Sequence, residues 1–132
     1  MKVASFIPIK LNNQRLPGKN TLPLGKKPMC EYIFDTVSKV RGIDERYVYC
    51  SDEKIKGYMP DDLIFLQRDS YLDGFQVKGL EIIEYFLRDV QADIYVLTHV
   101  TQPFTIPAII LNFPCTECGI IFTAHNFLQG LF

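Results

Sequence analysis

A run of cations between an apolar segment and a proline-rich turn is the part of the sequence best suited to chemistry. The apolar run from Val3 to Ile9 predicts a buried strand. Five cations and no acidic residue follow it over residues 10–27, at Lys10, Arg15, Lys19, Lys26 and Lys27. Since the whole chain has a formal net charge of −1, this local excess of positive charge predicts an anionic ligand. Phosphate is the first candidate, because a Gly-Lys loop offers backbone N–H groups beside a mobile charge.

Taken singly, each of these cations has a simpler interpretation, since exposed lysines are the commonest feature of a protein surface. Two known phosphate loops do not fit: there is no GxGxxG sequence, and the segment from Gly18 to Gly25-Lys26-Lys27 has six intervening residues and no Ser or Thr. No Ser or Cys has a partner that indicates a catalytic triad. The position after a strand favours a binding role, with Lys19 as the first phosphate-contacting candidate and Lys10 as the second.

Alternating strand and helix patterns must position this loop. One apolar helical stripe begins at Met29 and ends at Val40, and a second, from Leu80 to Val90, predicts a long helix over about residues 75–90. Apolar runs predict further strands at residues 47–50, 63–66, 94–97 and 119–123. This order predicts an α/β fold with a mainly parallel sheet covered on both faces. The loops after the first four strands should then meet at one edge and bring together Lys10 to Lys19, Ser51-Asp52, Arg68 and His99 to Pro103.

Composition narrows the class of protein. The 132 residues predict a single domain over 1–132. With 14 basic and 15 acidic residues, the chain is not a general nucleic-acid or membrane-surface binder. It has no run long enough for a membrane span and no signal peptide, so we expect a cytoplasmic protein with reduced thiols. Cys115-x-x-Cys118 leaves open a zinc or redox module, although one such pair alone is a weak pattern.

Four motifs together resemble a known family. The first loop reads Ile7-Pro8-x-Lys10, then Leu16-Pro17-Gly18-Lys19-Asn20-x-x-Pro23-Leu24-Gly25-x-Lys27-Pro28. The other three, in chain order, are Cys50-Ser51-Asp52, Arg68 with Tyr71-Leu72-Asp73, and His99-Val100-Thr101-Gln102-Pro103-Phe104. In this order they resemble the acylneuraminate cytidylyltransferases, the CMP-sialic acid synthetase family. The resemblance covers nearly the whole chain, and its first motif is the strongest.

The resemblance implies a Rossmann-like three-layer sandwich of the nucleotide-diphospho-sugar transferase type. It also implies an enzyme that transfers CMP from CTP to an acidic sugar, sialic acid or a related compound, and releases pyrophosphate. Lys19 and Lys10 would be the catalytic cations on the phosphates. The implied substrate-binding residues are Gly18, Arg15, Asn20, Arg68, His99 and Thr101. Among these, Asn20 would contact the nucleotide, Arg68 the base or ribose, and His99 the acceptor sugar. Mg²⁺ is the implied cofactor.

Departures from the family pattern qualify the expected activity. Lys10 replaces an arginine, which keeps the charge and loses the bidentate fork. A hydroxyl-rich segment of the family appears here as Phe75-Gln76-Val77-Lys78-Gly79. Family members continue for roughly another hundred residues, so we expect a truncated fold that lacks its C-terminal half and the Asp-x-Asp metal ligands. The alternative is a non-catalytic nucleotide- or sugar-binding relative. An edge exposed by the missing half would favour self-association as a homodimer.

Overall fold

A computed structural model describes residues 2–11, 16–100 and 120–122 of the chain. The strands are β1 (Val3–Ile9), β2 (Pro23–Leu24), β3 (Lys27–Pro28), β4 (Glu45–Cys50), β5 (Ile64–Gln67), β6 (Ile94–Leu97) and β7 (Ile120–Phe122). The helices are α1 (Met29–Lys39) and α2 (Gly79–Asp89), and 3₁₀ helices form at Lys19–Thr21, Glu53–Tyr58 and Ser70–Asp73. The main sheet has the order β5-β4-β1-β6-β7, and all four neighbouring pairs are parallel. The predicted parallel α/β fold is confirmed.

The central strand β1 is buried on both faces of the sheet, which explains why all its residues except Ser5 are apolar. On one face Ile7 and Ile9 belong to the same buried cluster as Ile33 and Val37 of α1. On the other face Phe6 joins a cluster with the buried residues of α2. The two helices therefore cover opposite faces of the sheet, as in a three-layer sandwich. The carboxyl end of β1 lies between these two cores.

The second helix is shorter than the sequence pattern predicts. It begins at Gly79, because residues 70–78 instead form a 3₁₀ helix and a turn in which Val77 N–H donates to the Gly74 carbonyl at 3.2 Å. Leu80, predicted to be a core residue, is 51% exposed. Phe86, outside the predicted stripe, is fully buried. Ile83 and Val90 of the predicted stripe are buried in the same cluster as Phe86, so the core face of α2 includes the predicted aliphatic residues after its first turn.

A two-stranded hairpin, β2–β3, is the element that the sequence analysis missed. Leu24 pairs with Lys27 across the two-residue turn Gly25-Lys26. Gly25 has a φ of 68°, and among the described residues only glycines have a positive φ, so glycine occupies the first turn position as a type II′ turn requires. The Tyr32 hydroxyl donates a hydrogen bond to the Leu24 carbonyl and joins this turn to α1.

We predict that Gly25→Ala destabilises the fold by about 1–2 kcal/mol, since alanine at positive φ is strained. The new Cβ would also lie 3.2 Å from the Tyr32 hydroxyl oxygen. Gly57→Ala is the matched control, because its Cβ would have no atom within 4 Å and its backbone is not left-handed. Urea denaturation measures both variants. Equal stabilities for the two alanine variants would contradict the prediction.

Cys30 and Cys50 are buried free thiols, as their positions in apolar patterns predicted. Burial raises the pKa of Cys30 to about 12 and also raises the pKa of Cys50. Both therefore act as small core residues and not as nucleophiles. Cys115 and Cys118 lie outside the described residues. None of the helices in the described part of the chain is long and apolar enough to cross a membrane.

Candidate functional site

A cavity of about 750 Å³ opens at the carboxyl ends of the parallel strands. Its polar lining is Lys10 after β1, Arg68 after β5, His99 after β6 and Lys78 before α2. The sequence analysis placed the first three of these at one edge, and the structure brings them together. It did not single out Lys78 as a site residue. No acidic side chain is among the described residues that line the cavity, so the cavity favours an anionic or acceptor-rich ligand.

One wall of the cavity is apolar. Leu72 comes from the 3₁₀ helix after β5, Phe75 and Val77 come from the following turn, and Leu80 comes from the first turn of α2. Phe75 is 72% exposed, so a large aromatic surface is available beside the cations. A flat, partly polar ligand such as a nucleobase fits a site with one apolar wall and a few fixed polar groups. The exposure of Leu80 is explained by its place in this wall.

The glycine–lysine loop lies beside the cavity but does not line it. Lys19 N–H donates to the Leu16 carbonyl at 3.1 Å, and Gly18 has a φ of 69°, which together match a type II turn. Asn20 is buried and its Nδ2 donates to the Lys10 carbonyl at 2.7 Å. Because a carbonyl can only accept, this bond also fixes the orientation of the Asn20 amide. The loop that carries Lys19 is thus fastened to the strand end that carries Lys10.

Three other residues singled out in the sequence are not among the described residues that line the cavity. Arg15 and Thr101 lie outside the described residues. Lys27, one of the five loop cations, forms an ion pair with Asp35, and this hydrogen bond raises the pKa of Lys27. The lysine is also 4.6 Å from the centre of the Tyr32 ring. Lys27 therefore links the hairpin to α1, and its positive charge is neutralised by Asp35.

Arg68 has the most constrained environment of the cavity cations. Its side chain is 2% exposed, and its Nη2 donates to Asp73 Oδ1 at 2.8 Å. Ser51 Oγ donates to the other oxygen of Asp73. Within the described part of the chain, Arg68 Nε and Nη1 are buried without a hydrogen-bond partner. Buried donors normally have partners, so these two nitrogens indicate a ligand acceptor in the cavity.

His99 faces the same cavity as a neutral group near pH 7. Burial lowers the pKa of His99 below its ordinary value of 6.5. The imidazole therefore offers one donor and one acceptor there, and Lys10 and Lys78 supply the positive charge. A neutral imidazole beside charged side chains can bind a polar group of a ligand that also carries an anionic group.

The lowered pKa of His99 predicts a pH-dependent stability. The unfolded chain binds a proton near pH 6.5, whereas the folded chain resists it, so stability should fall as the pH drops below about 6.5. His99→Gln should reduce this acid-side loss and leave stability above neutrality nearly unchanged. Melting temperatures measured across pH 5 to 8 test this. An identical pH profile in the variant would contradict it.

The described residues contain no cluster of three or more metal-ligating side chains. Nowhere in residues 2–11, 16–100 and 120–122 do three His, Cys, Asp or Glu side chains converge as metal ligands. Asp73, the carboxylate bonded to Arg68, is occupied by Arg68 and Ser51. At nucleotide sites Mg²⁺ is usually held by one or two carboxylates together with substrate phosphates and water. The magnesium implied by the resemblance stays a prediction.

Comparison with known families matches this architecture. A family model described as "Cytidylyltransferase" matches residues 4–113, which include the cavity residues and every strand except β7 and the first residue of β1. The chain belongs to the cytidylyltransferase family. This confirms the broader part of the resemblance found in the sequence. The acylneuraminate subgroup, the roles of individual site residues and a homodimer stay predictions.

Two curated relatives match over a short segment. One is the 8-amino-3,8-dideoxy-manno-octulosonate cytidylyltransferase of Shewanella frigidimarina, which is 38% identical over 56 residues. The other is 3-deoxy-manno-octulosonate cytidylyltransferase 2 of Hydrogenovibrio crunogenus, which is 41% identical over 56 residues. In both cases the match covers 42% of this chain and 23% of the relative. The chain thus matches about a quarter of the length of these cytidylyltransferases.

Solved structures show the same fold. CMP:2-keto-3-deoxy-manno-octonic acid synthetase complexed with CTP aligns with a TM-score of 0.66 and 23% identity, over 82% of this chain and 44% of that chain. A nucleotidyl transferase from Methanothermobacter thermautotroptrophicus aligns with a TM-score of 0.55 and 20% identity, over 83% of this chain and 55% of that chain. The predicted nucleotide-diphospho-sugar transferase type of fold is confirmed.

Proposed function

We propose that this cytidylyltransferase family member binds CTP at the carboxyl edge of its sheet and transfers CMP to an acidic sugar. The observation that carries the proposal is the cavity in which Lys10, Arg68 and Lys78 meet without an acidic lining residue in the described chain. The Asn20–Lys10 hydrogen bond places the Gly18-Lys19 turn beside this cavity. Cations from two loops can then neutralise a triphosphate, while the apolar wall accommodates a base.

In the proposed reaction, a hydroxyl oxygen of the sugar attacks the α-phosphorus of CTP. A new oxygen–phosphorus bond forms, the bond from the α-phosphorus to the bridging oxygen breaks, and pyrophosphate leaves with that oxygen. The hydroxyl proton passes to solvent or to the released pyrophosphate. Lys10 and Lys19 would stabilise the negative charge that develops on the leaving pyrophosphate, and Arg68 would hold the base or ribose.

The acceptor is proposed to be a 2-keto sugar acid. The curated relatives are named for 3-deoxy-manno-octulosonate and its 8-amino analogue, and these names favour an octulosonate over sialic acid. Both sugar types combine a carboxylate with hydroxyl groups. The cavity offers cations for the carboxylate and the neutral imidazole of His99 for a hydroxyl group.

Two measurements on the full chain test the proposal. Calorimetry should show saturable CTP binding, and a magnesium-containing assay should show pyrophosphate release that depends on an added sugar acid. The two octulosonates and sialic acid are compared as acceptors. CTP binding without turnover on any of them would contradict the transferase proposal and favour the non-catalytic alternative. No CTP binding would contradict both.

A further inference from the structure

A three-member network immobilises the buried arginine of the cavity. Asp73 accepts a hydrogen bond from Arg68 Nη2 at 2.8 Å and a second from Ser51 Oγ. Arg68 N–H donates to the Cys50 carbonyl at 3.0 Å, and the guanidinium carbon lies 5.9 Å from the centre of the Tyr49 ring. The backbone of Arg68 is thereby fixed by Cys50 and its guanidinium by Asp73. Its Nε and Nη1 are left as fixed donors without a partner among the described residues.

The charge of this arginine is already balanced. Asp73 is 17% exposed and Arg68 is 2% exposed, so their attraction is weakly screened by water. A guanidinium that is paired with a carboxylate still offers directional N–H donors, but it offers little net charge to a phosphate. In contrast, Lys10 and Lys78 line the same cavity and form no ion pair with a described acidic residue. The cavity thus contains two cations without an ion-pair partner in the described chain, Lys10 and Lys78, and one arginine that offers mainly N–H donors.

We propose that Asp73 is a positioning residue that holds Arg68 for a neutral acceptor edge and makes the site select cytosine over uracil. This inference rests on the proposed function, because it assigns the nucleobase to the free N–H donors of Arg68. Ser51 contributes by fixing the second oxygen of Asp73. Neither Asp73 nor Ser51 lines the cavity, so each acts through Arg68.

Cytosine and uracil differ at N3, where a fixed N–H donor can distinguish them. Cytosine carries acceptors at both O2 and N3, whereas N3 of uracil carries a hydrogen and is a donor. A donor that cannot turn away gains a bond with cytosine and faces another donor in uracil. Desolvated groups left unpaired in this way give strong discrimination. A mobile arginine would lose that discrimination, because it could rotate to reach O2 of either base.

Calorimetry with CTP and UTP on the full chain tests this inference. Wild type should bind CTP about tenfold more tightly than UTP, as expected for one well-placed base contact. Asp73→Ala should reduce the ratio to about threefold or less, and Asp73→Asn, which keeps an acceptor oxygen, should restore part of it. Asp69→Ala is the matched control: Asp69 caps the same 3₁₀ helix through Tyr71 N–H but makes no hydrogen bond or ion pair with Arg68. Its ratio should stay at the wild-type value.

A purely structural role would weaken both nucleotides equally and leave the ratio unchanged in Asp73→Ala, which would overturn the inference. If that variant does not fold, Ser51→Ala replaces it, and its ratio should fall by about threefold; an unchanged ratio there also overturns the inference. Equal binding of CTP and UTP by wild type overturns it while the proposed CTP site stands.

If wild type binds neither nucleotide, the proposed function fails, and ¹⁵N NMR of the Arg68 Nε–H tests the network separately. The signal is assigned by its absence in Arg68→Lys. Slow hydrogen exchange in wild type and fast exchange in Ser51→Ala or Asp73→Ala would support the positioning role. Equal exchange rates would overturn it.

Discussion

Phe86→Ala should lower the free energy of unfolding by about 3–5 kcal/mol, the usual cost of deleting a buried aromatic side chain. Phe86 is fully buried in the middle of α2. Its ring stacks on Phe6 of β1 with the ring centres 3.9 Å apart, and it meets Tyr49 of β4 edge-on at 5.4 Å. The substitution removes the residue that fastens α2 to the two central strands. Urea denaturation followed by circular dichroism measures the loss.

Phe75→Ala is the matched control for this prediction. The same atoms are removed from a side chain that is 72% exposed, so the free energy of unfolding should change by no more than about 0.5 kcal/mol. A loss below about 1 kcal/mol for Phe86→Ala would contradict the packing described for this face of the sheet. Since Phe75 lines the cavity, its variant also reports whether the apolar wall contributes to ligand binding.

Lys19→Ala and Lys10→Ala should each weaken CTP binding by about tenfold to a hundredfold, the range for losing one charge-assisted hydrogen bond. Lys10 lines the cavity, and Lys19 follows the Gly18 turn that Asn20 fastens to Lys10. Calorimetric titration with CTP at low and at moderate salt gives both affinities. The loss should be larger at low salt, because ions screen the exposed charges.

Lys39→Ala controls for the loss of one positive charge. Lys39 is an exposed residue in the last turn of α1 and does not line the cavity. Its CTP affinity should match that of wild type. Equal weakening in all three variants would indicate a general charge effect and would contradict a specific phosphate loop. Wild-type affinity in both loop variants would contradict the assignment of Lys10 and Lys19.

The sequence could predict the parts of this fold that depend on local patterns. Strands buried on both faces have continuous apolar runs, and parallel strands place their carboxyl ends at one edge, so the meeting of Lys10, Arg68 and His99 followed from the chain order. The fifth strand, predicted at residues 119–123, is observed as Ile120–Phe122. In these cases each segment carries its own signal.

Other features depend on geometry that no local pattern records. The β2–β3 hairpin has strands of two residues each, too short for periodicity, and Pro23 and Pro28 are unusual strand residues. The contact between Ser51 and Asp73 joins residues 22 positions apart through side-chain direction alone. The glycine at position 25 was the available signal for the hairpin, because Gly at the first of two turn residues is typical of a type II′ turn.

The two ends of helix α2 have different surroundings. Gly79 and Leu80 of its first turn border the cavity, whereas Phe86 and the C-terminal Val90 are sealed in the core. Substitutions in the first turn can therefore reshape the ligand wall without the packing penalty that the later turns would incur. A scaffold with this arrangement is evolvable: its ligand preference can change through single substitutions in the cavity wall while the sheet and its inner aromatic contacts stay constant.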